Sequence, residues 1–532
     1  MTDQRPSRPL GAQLSHMLKS RGVDVIFGIP GVHNQEMYRG IEEAGITHVL
    51  ARHEQGAGFM ADGYARASGK PGVAYVITGP GLTNILTPLG QAYSDSVPVL
   101  AISSCLDEVA ATRGQLHQMR DQEGAARTVC DWSETARTAQ AAYALIDRAF
   151  LEFETGRKRP KHLSVPIARL EARAEAPPEP PIGALARRAP PSPSAVEGVA
   201  AALMSAERPI FVFGGGAVAG AEAARSVLAQ SRAASFMTYA GRGIVAPDDA
   251  LSLGSTLGRA ESKALLDASD CVILVGTDMA EVDLWRTEAG YRPGAVHVNI
   301  DAEVLAKGHP QDTRIQADAC DFLIALNAAL TGAPKATWTA ALIAGYRDQW
   351  RAAVEAERPG ILRVADALRD CLPAGTMIYS DMTQFAYSAK EVWDMDRPGH
   401  WHHPTGFGTL GYAMPAAIGG VVARTGAPTM AIAGDYGFQY TLQELGTAVE
   451  LGLPLPIFLW DNGKLKEIED SMVAAQIPPN AVVARNPDFV ALARAYGAHG
   501  VAPKTLAEMQ DVTRAAFEAD GPTLIYVTPE IG

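Results

Sequence analysis

Short apolar runs alternate with alanine-rich segments along most of the chain. The apolar runs are typical of β-strands and the alanine-rich segments of helices. Strands that alternate with helices indicate parallel sheets covered by helices on both faces. The strand-like runs fall into three blocks: VDVIFGIPG, GVAYVITGPG and VPVLAISS; RPIFVFGGGAVAG, CVILVGTDM and AVHVNID; and GTMIYSDM, PTMAIAGDYG, LPIFLWDNG and PTLIYVTPE. The pattern therefore predicts an α/β protein with three doubly wound parallel-sheet domains.

Proline-rich stretches separate these blocks. The run EAPPEPPIGALARRAPPSPS, which starts at Glu175, is interpreted as a surface linker because proline cannot continue a helix or a central strand. A softer boundary lies in LTGAPKATW, which starts at Leu330. The predicted organisation is an N-terminal domain over 1–174, a linker over 175–194, a Rossmann-like middle domain over 195–333, a second linker over 334–356 and a C-terminal domain over 357–532.

Composition narrows the class of function. The 59 acidic and 46 basic residues give a net charge of −13, which argues against a nucleic-acid partner. The five cysteines are scattered and contain no CxxC pair, which indicates a reducing compartment rather than disulfides or zinc. No apolar run approaches membrane-spanning length, and the N-terminus lacks a signal-like segment. We therefore expect a cytoplasmic protein without membrane contact.

Hard oxygen ligands follow two strand-like runs of the last block. The stretch AIAGDYGFQYTLQELGTAVELGLPLPIFLWDNG, which starts at Ala431, places Asp435 in a glycine turn after one strand and Asn462 after the next. A glycine turn before a helix lets backbone N–H groups approach a phosphate, and carboxylate and amide oxygens suit Mg²⁺. Taken alone, the pattern fits equally well an Asp that caps a helix and an Asn that forms a turn.

The middle block has one glycine-rich turn of its own. FGGGAVAG, from Phe213 to Gly220, is not a clean GxGxxG and lacks a convincing acid for a ribose, so a structural turn is favoured over a phosphate cradle. A nicotinamide oxidoreductase built on this domain is therefore disfavoured. The block also shows no clear FAD-binding pattern, so FAD is doubtful as a cofactor.

Several longer motifs carry a family resemblance. LARHEQGAGFMADGYARASGKPGVAYVITGPGLTN, which starts at Leu50, resembles the pyrimidine-binding domain of thiamine-diphosphate enzymes of the acetolactate synthase and 2-oxoacid decarboxylase superfamily. FGIPG, TGFGTLGYAMPAAIGG and NPDFVALARAYGA are similar to other family motifs in the same order, and the Gly434–Asn462 stretch resembles the cofactor signature. The resemblance implies pyrimidine-binding, Rossmann-like and diphosphate-binding domains. It also implies active sites between subunits, hence a homodimer at least and a homotetramer as the expected assembly.

The resemblance assigns roles residue by residue. Glu54 matches the glutamate that hydrogen-bonds the pyrimidine ring, and a buried position with a raised pKa is expected for it. Leu410 matches the apolar wedge under the folded cofactor. The Mg²⁺ ligands are expected to be Asp435, Asn462 and the backbone carbonyl of Lys464, with Thr383 and Gln384 on the diphosphate. Further cofactor contacts are expected from Pro30, Thr78, Asn84, Gly408, Gly434, Tyr436, Gly437, Leu465 and Lys466.

The chemistry implied is decarboxylation of a 2-oxo acid through a carbanion at the thiazolium C2 and an enamine. Gln118 and His117 lie where the family places polar residues near the substrate, and they are candidates for proton transfer; for His117, a solvated helix face is an equal alternative. The substrate is expected to be bordered by Val32, His33, Glu467, Ile468 and Ser471. Val32 and Ile468 replace acids of pyruvate decarboxylases, Ile77 replaces a histidine of benzoylformate decarboxylases, and Ser471 replaces a tryptophan of acetolactate synthases.

The segment GKLKEIEDSM after Asn462 is unusual for the family. It places Lys466 at a common glycine position and follows it with Glu467, Glu469 and Asp470. Acids beside the substrate would suit a cationic side chain, because a guanidinium gains paired hydrogen bonds from a carboxylate. The sequence here resembles 5-guanidino-2-oxopentanoate decarboxylases, so that acid is the leading substrate. A solvated acidic helix face is weighted equally.

Three further questions stay open. An acetolactate synthase-like carboligase that joins two 2-oxo acid units is the main alternative. A non-catalytic cofactor-binding relative would be expected to lack Glu54 or the metal ligands, and both are present. Tyr436 stands where relatives have a small residue; it either narrows the site, lends a hydroxyl to the cofactor, or turns aside and packs.

Overall fold

The computed structural model describes residues 7–108, 113–179, 188, 190–483 and 485–532. Nine of the twenty residues of the proline-rich linker expected over 175–194, namely residues 180–187 and 189, lie outside the described residues. Among the described helices, none combines the length and the apolar character that crossing a bilayer requires.

The N-terminal domain is a parallel sheet in the order β3-β2-β4-β5-β7-β6, with β1 and β8 paired separately as an antiparallel ribbon. The strands are β1 (Arg8–Pro9), β2 (Val25–Gly28), β3 (Thr47–Leu50), β4 (Gly72–Val76), β5 (Val99–Cys105), β6 (Trp132–Thr135), β7 (Lys161–Pro166) and β8 (Arg173–Ala174). The helices are α1 (Leu10–Ser20), α2 (Gln35–Glu43), α3 (Glu54–Ser68), α4 (Pro80–Ser94), α5 (Gln122–Arg127), α6 (Ala139–Thr155) and α7 (Ile167–Glu171).

The middle domain is a parallel sheet in the order β11-β10-β9-β12-β13-β14, which is a Rossmann order. The strands are β9 (Pro209–Phe213), β10 (Ala234–Met237), β11 (Ser252–Gly254), β12 (Cys271–Val275), β13 (Val296–Asn299) and β14 (Thr313–Gln316). The helices are α8 (Pro193–Ser205), α9 (Ala221–Ser231), α10 (Ala260–Asp267), α11 (Glu281–Leu284), α12 (Ala302–Leu305) and α13 (Ala319–Ala329), and Gly215–Gly220 of the glycine-rich turn forms a 3₁₀ helix.

A long helix, α14 (Ala340–Glu357), occupies most of the stretch 334–356 that was expected to be a second linker. Ile343 and Trp350 on this helix are buried in one cluster with Phe236 of the middle sheet. The stretch therefore continues the middle domain rather than only bridging to the next one.

The C-terminal domain is a parallel sheet in the order β16-β15-β17-β18-β20-β19. The strands are β15 (Met377–Ser380), β16 (Trp401–His402), β17 (Thr429–Gly434), β18 (Pro456–Trp460), β19 (His499–Val501) and β20 (Thr523–Val527). The helices are α15 (Ile361–Cys371), α16 (Gln384–Val392), α17 (Ala413–Ala423), α18 (Asp435–Tyr440), α19 (Leu445–Glu450), α20 (Lys466–Ala474), α21 (Phe489–Ala495) and α22 (Leu506–Ala516). The prediction of three doubly wound parallel-sheet domains is confirmed.

The N-terminal and C-terminal domains share one hydrophobic core, and α3 packs directly on α17 at its centre. Glycines permit this close approach. A Cβ on Gly63 would lie 1.9 Å from the carbonyl oxygen of Ala416, and one on Gly419 would lie 2.0 Å from that of Met60. The helix that begins at Glu54 is thus fixed by backbone contact with the other domain.

Candidate active site

Glu54 is the first residue of α3 and is held from both domains. Its side chain is only 8% exposed, and its Oε2 accepts a hydrogen bond from Asn84 Nδ2 at 2.9 Å. From the C-terminal domain, the buried carboxylate of Glu444 accepts the N–H groups of Arg52 (3.1 Å) and His53 (2.9 Å), just before the helix. N–H groups at the N-terminus of a helix have no partners within the helix, and a carboxylate that accepts them stabilises the helix. The structure therefore gives Glu54 the buried position expected for it.

The turn after β4 lies against the end of β5. The backbone N–H and the hydroxyl of Thr78 both donate to Ser104 Oγ, at 3.0 and 2.8 Å. The N–H of Gly79 donates to Gln122 Oε1 at 3.1 Å. Sequence reasoning predicted Thr78 but missed Ser104 and Gln122, because a neutral hydrogen-bond network that joins separate strands leaves no signature in local spacing.

The predicted substrate residues of this domain lie on two neighbouring loops. Val32 follows the Pro30–Gly31 turn and is 63% exposed. The turn is held by Asn34, whose Oδ1 accepts the N–H of Gly31 at 2.7 Å. The rings of His33 and His117 meet edge to face, with centroids 5.0 Å apart, so the structure brings these two predicted residues together. Gln118, the other candidate for proton transfer, follows His117 directly.

Asp435 and Asn462 follow neighbouring strands of the C-terminal sheet. Gly434, the last residue of β17, pairs with Trp460, the last residue of β18, so the two loops leave the same edge. Asn462 Oδ1 accepts the N–H of Lys464 at 3.3 Å in the tight turn that follows. The predicted metal residues therefore converge, as strand ends of a parallel sheet do.

Asn486 is a residue that sequence reasoning missed at this place. Its Nδ2 donates to Asp435 Oδ2 at 2.7 Å and to Asp461 Oδ1 at 3.0 Å, so one amide links two carboxylates. Asp461 Oδ2 also accepts the hydroxyl of Tyr526 at 2.9 Å. Burial raises the pKa of Asp435 to about 6; the Asn486 bond opposes this shift and the nearby Asp461 adds to it.

These residues fit a hard divalent cation. The oxygens available are a carboxylate, a side-chain amide and a backbone carbonyl, which is a donor set suited to Mg²⁺. A cation would also offset the electrostatic cost of the buried Asp435 carboxylate. Within the described ranges, no cluster of three or more His, Cys, Asp or Glu side chains is arranged for a metal, so the remaining ligands would have to come from a bound diphosphate or water.

Asp381 contacts three segments that contain predicted cofactor-binding residues, and sequence reasoning also missed it. The buried carboxylate accepts the N–H groups of Met382 and Gly411, each at 2.8 Å. A Cβ on Gly437 would lie 2.6 Å from Asp381 Oδ2, so the GDYG turn packs against it. Burial raises the pKa of Asp381 to about 7. Leu410 precedes Gly411 in the sequence and is half-buried.

The second loop predicted to bind diphosphate lies beside the GDYG turn. Thr383 precedes α16 and is mostly buried, and a Cβ on Gly434 would lie 3.1 Å from its Oγ1. Gln384, expected on the diphosphate, donates its Nε2 to Glu467 Oε2 at 3.0 Å and to Asp470 Oδ2 at 3.3 Å. Its amide therefore faces α20 in this structure. Tyr436 is half-buried, and Gly408 is exposed with φ +67°.

The acids of α20 are already paired within the chain. Arg358 Nη2 donates to Glu467 Oε1 at 2.9 Å. Lys464 pairs with Glu469 at 2.9 Å, and Lys466 pairs with Asp470. None of the residues of α20 is buried, and Ile468 is 48% exposed. Leu465 precedes the helix as its N-cap residue, and Ser471 is exposed on it.

Glu54 and Asp435 have separate hydrogen-bond partners within one chain. Glu54 is hydrogen-bonded by Asn84 of the N-terminal domain and Asp435 by Asn486 of the C-terminal domain. Over the described ranges, no hydrogen bond connects the two groups.

Comparison with known proteins agrees with this arrangement. Residues 8–125 match the N-terminal TPP binding domain of thiamine pyrophosphate enzymes, residues 196–326 the central domain and residues 381–527 the C-terminal TPP binding domain. The probable 2-ketoarginine decarboxylase AruI of Pseudomonas aeruginosa is 40% identical over 97% of this chain and 93% of its own length. The acetolactate synthase isozyme 1 and isozyme 2 large subunits of Escherichia coli are 27% and 29% identical, over 99% and 97% of this chain and 95% of their own lengths.

Proposed function

The chain belongs to the thiamine pyrophosphate enzyme family, and on that premise we propose that it decarboxylates a 2-oxo acid, with 5-guanidino-2-oxopentanoate as the leading substrate. The observation that carries the reaction type is the buried Glu54 carboxyl, fixed at the start of α3. The name of the Pseudomonas relative supports the substrate, because 2-ketoarginine is the same guanidino acid.

The proposed catalytic and binding roles are shared between residues of the N-terminal and C-terminal domains. Bound thiamine diphosphate supplies a sink for the electron pair that a 2-oxo acid retains when it loses CO₂. Glu54 holds a proton at a pyrimidine ring nitrogen, and Asn84 orients its carboxyl. Asp435, Asn462 and the Lys464 carbonyl would hold Mg²⁺, and Thr383 would bind the diphosphate.

The remaining residues act around the reacting carbon. Leu410, next to the Gly411 N–H that bonds Asp381, would support the folded cofactor. His117 and Gln118 move a proton on the substrate side, beside His33. Further contacts with the cofactor are proposed for Pro30, Thr78, Gly434 and Gly437, which lie in or beside glycine turns.

Glu467 is assigned to the substrate guanidinium. Its existing partner is the guanidinium of Arg358, so this carboxylate already accepts the group that the substrate carries. Glu469 and Asp470 pair with lysines instead, which supports the solvated-face interpretation for them.

We also propose a dimer with composite sites, as the family resemblance implies, and a homotetramer remains the expected assembly. Exposed apolar side chains on the C-terminal half support burial against a second copy: Ile468, Val473, Ile477 and Val483. Val32 and Leu116 are similarly exposed on the N-terminal half. Apolar patches at such edges are typical of subunit contacts.

FAD is not included among the cofactors. Asp278 and Asp301 follow β12 and β13 at the edge where a Rossmann sheet binds nucleotides. Arg157 pairs with both (2.7 and 3.1 Å), and Arg159 pairs with Asp301 (3.3 Å), so the N-terminal domain neutralises the acids there. A cytoplasmic location is proposed from the five free cysteines.

The test is a panel of 2-oxo acids assayed for CO₂ release and for carboligated product, with thiamine diphosphate and Mg²⁺ present. We expect CO₂ from the guanidino acid, and loss of this activity in Glu54→Gln but not in the exposed control Glu42→Gln. Release of CO₂ from pyruvate but not from the guanidino acid would overturn the substrate. Acetolactate formation from pyruvate would favour the carboligase alternative, which the Escherichia coli relatives support.

The assignment of Glu467 has its own test. Glu467→Gln should raise the KM for 5-guanidino-2-oxopentanoate about tenfold or more, because a charge-assisted bond is lost. It should leave the KM for 2-oxopentanoate, which lacks the guanidinium, nearly unchanged. Glu469→Gln is the matched control on the same helix and should affect neither substrate.

A further inference from the structure

Gln122, the first residue of α5, is held by hydrogen bonds at both ends of its carboxamide. Its Oε1 accepts the N–H of Gly79 at 3.1 Å. Its Nε2 donates to the carbonyl oxygen of Ser104 at 2.7 Å and contacts the hydroxyls of Ser103 and Ser164 at 2.9 and 3.1 Å. One end must accept and the other must donate, so the orientation of the amide is fixed.

The groups beneath Gln122 form a buried neutral network. Ser103 Oγ bonds His162 Nε2 at 2.8 Å, and Ser133 Oγ bonds His162 Nδ1 at 2.7 Å. Burial lowers the pKa of His162 to about 3, so the ring is neutral at physiological pH. Buried polar networks are costly unless every member is satisfied, and a satisfied network defines one arrangement. The base on which Gln122 rests is therefore rigid.

The Oε1 end of the Gln122 carboxamide is connected to Glu54 through Gly79 and α4. Gly79 adopts φ +69° just before α4, and Thr78 beside it is fixed by Ser104. In the first turns of α4, Asn84 donates to Glu54. Displacement of the Gly79 turn would therefore shift the partner that orients the Glu54 carboxyl.

The same Gly79 turn also contacts the loop that carries His117. His117 has φ +61°, a left-handed conformation that is uncommon without glycine. Its carbonyl packs on Gly79, where a Cβ would lie only 2.3 Å away. Among the described residues, neither His117 Nδ1 nor His33 Nδ1 has a hydrogen-bond partner, although both atoms are buried. Such strain and unpaired groups persist only where the surroundings impose them.

We infer that Gln122 is a positioning residue. Its carboxamide fixes the position of the Asn84–Glu54 pair relative to the His117–Gln118 loop. The inference rests on the proposed function, which gives those two groups their roles. Gln122 itself contacts neither cofactor nor substrate in this assignment.

The sharpest test is Gln122→Glu assayed against pH. An ionised carboxylate can accept from Gly79 but cannot donate to the Ser104 carbonyl, whereas a protonated carboxyl group can do both. Burial beside a carbonyl raises the pKa of such a carboxyl. We expect kcat about tenfold or more below that of the wild type at pH 8, and within about threefold of it near pH 6.

Gln122→Leu serves as the comparison, since it can neither accept nor donate at any pH. Its kcat should stay low throughout, with no recovery in acid. The exposed Gln140 on α6 provides matched controls, and Gln140→Glu and Gln140→Leu should follow the wild type. The dissociation constant of thiamine diphosphate should change by less than about threefold in all variants, because the diphosphate residues lie in the C-terminal domain.

A second readout uses the cofactor-free protein. Burial and the neighbouring His117, the titratable group that faces it among the described residues, lower the pKa of His33. If Gln122 fixes His117, Gln122→Leu should raise the pKa of His33 toward its ordinary value, as followed by NMR of ¹³C-labelled histidine. Equal pH profiles for Gln122→Glu and Gln122→Leu, or an unchanged His33, would overturn the inference. A wild type inactive on every 2-oxo acid would overturn the proposed function instead, and the His33 titration would still test Gln122.

Discussion

At the scale of single residues, Asn486 is expected to control metal affinity. Its one amide donates to both Asp435 and Asp461, and Gln439 Nε2 fixes the amide by donating to Asn486 Oδ1 at 3.3 Å. Asn486→Leu would leave the two carboxylates without their shared donor. Loss of such an outer partner typically costs about 10- to 100-fold in metal affinity.

The measurement is the Mg²⁺ concentration for half-maximal activity, supported by the thermal shift that thiamine diphosphate and Mg²⁺ produce. Asn480→Leu, at an exposed asparagine of the same domain, is the control. An unchanged Mg²⁺ requirement in Asn486→Leu would show that Asp435 needs no such support.

Lys390 on α16 is expected to make the stability of the folded chain depend on pH. Its ammonium lies over the ring of Tyr239 at 3.8 Å, and burial lowers the pKa of Lys390 to about 7. In the unfolded chain a lysine titrates near ~10.4. Between these values the unfolded state binds the proton and the folded state does not, so stability rises with pH.

Lys390→Met removes this titration. The urea midpoint of the wild type should therefore rise relative to that of Lys390→Met as the pH increases from about 7 to about 10. The exposed Lys335→Met is the control and should keep a constant offset. A constant offset for Lys390→Met as well would contradict the lowered pKa.

Local motifs could place Glu54 and Asp435 because the residues around them carry the signal in one short stretch. The residues that support them through hydrogen bonds could not be predicted in the same way. Glu444 meets Arg52 across nearly the whole chain, and Asn486 meets Asp435 from another loop. Such contacts arise from packing between elements, and single amide or carboxylate side chains have no period or spacing to mark them.

At the scale of elements, the contact between α3 and α17 should be intolerant of a single methyl group. A Cβ on Gly63 would lie 1.9 Å from the Ala416 carbonyl, so two backbones would have to separate. Gly63→Ala should lower the free energy of unfolding by about 1–3 kcal/mol, as overpacking does. It should also reduce activity, because α3 begins at Glu54.

Gly198 on α8 is the matched control, since it is exposed and a Cβ there meets nothing within 4 Å. Gly198→Ala should stabilise the chain by about 0.5–1 kcal/mol, because alanine loses less backbone entropy in a helix. Chemical denaturation of both variants gives the comparison. Equal effects at the two positions would mean that the interface accommodates the methyl group.

Most strands and their glycine turns could be predicted, because apolar runs and glycines act locally. The strand orders could not, since they depend on which strands pair across the fold. The stretch 334–356 shows the same limit, because Trp350 of α14 is buried against the middle sheet, a contact that the local sequence does not mark. The acidic residues of α20 could be identified from the sequence, but the lysine and arginine residues that pair with them could not.

At the scale of the molecule, one chain carries both halves of the candidate site on one shared core. The α3–α17 contact packs the two domains that carry these groups against each other. In the proposed dimer, Glu54 of one chain would meet Asp435 of the other, and exposed side chains such as Ile468 and Val32 are candidates for the contact between the copies.

Complementation between variants tests this assembly. Glu54→Gln and Asp435→Asn should each be inactive alone. In a symmetric dimer with shared sites, a mixed pair combines both changes in one site and leaves the other intact. Random pairing after equal co-expression makes about half of the dimers mixed, so about a quarter of the wild-type activity should return. Dimers purified through two different tags should show about half the activity of wild-type dimers. No recovery in those purified mixed dimers would mean that each chain completes its own site.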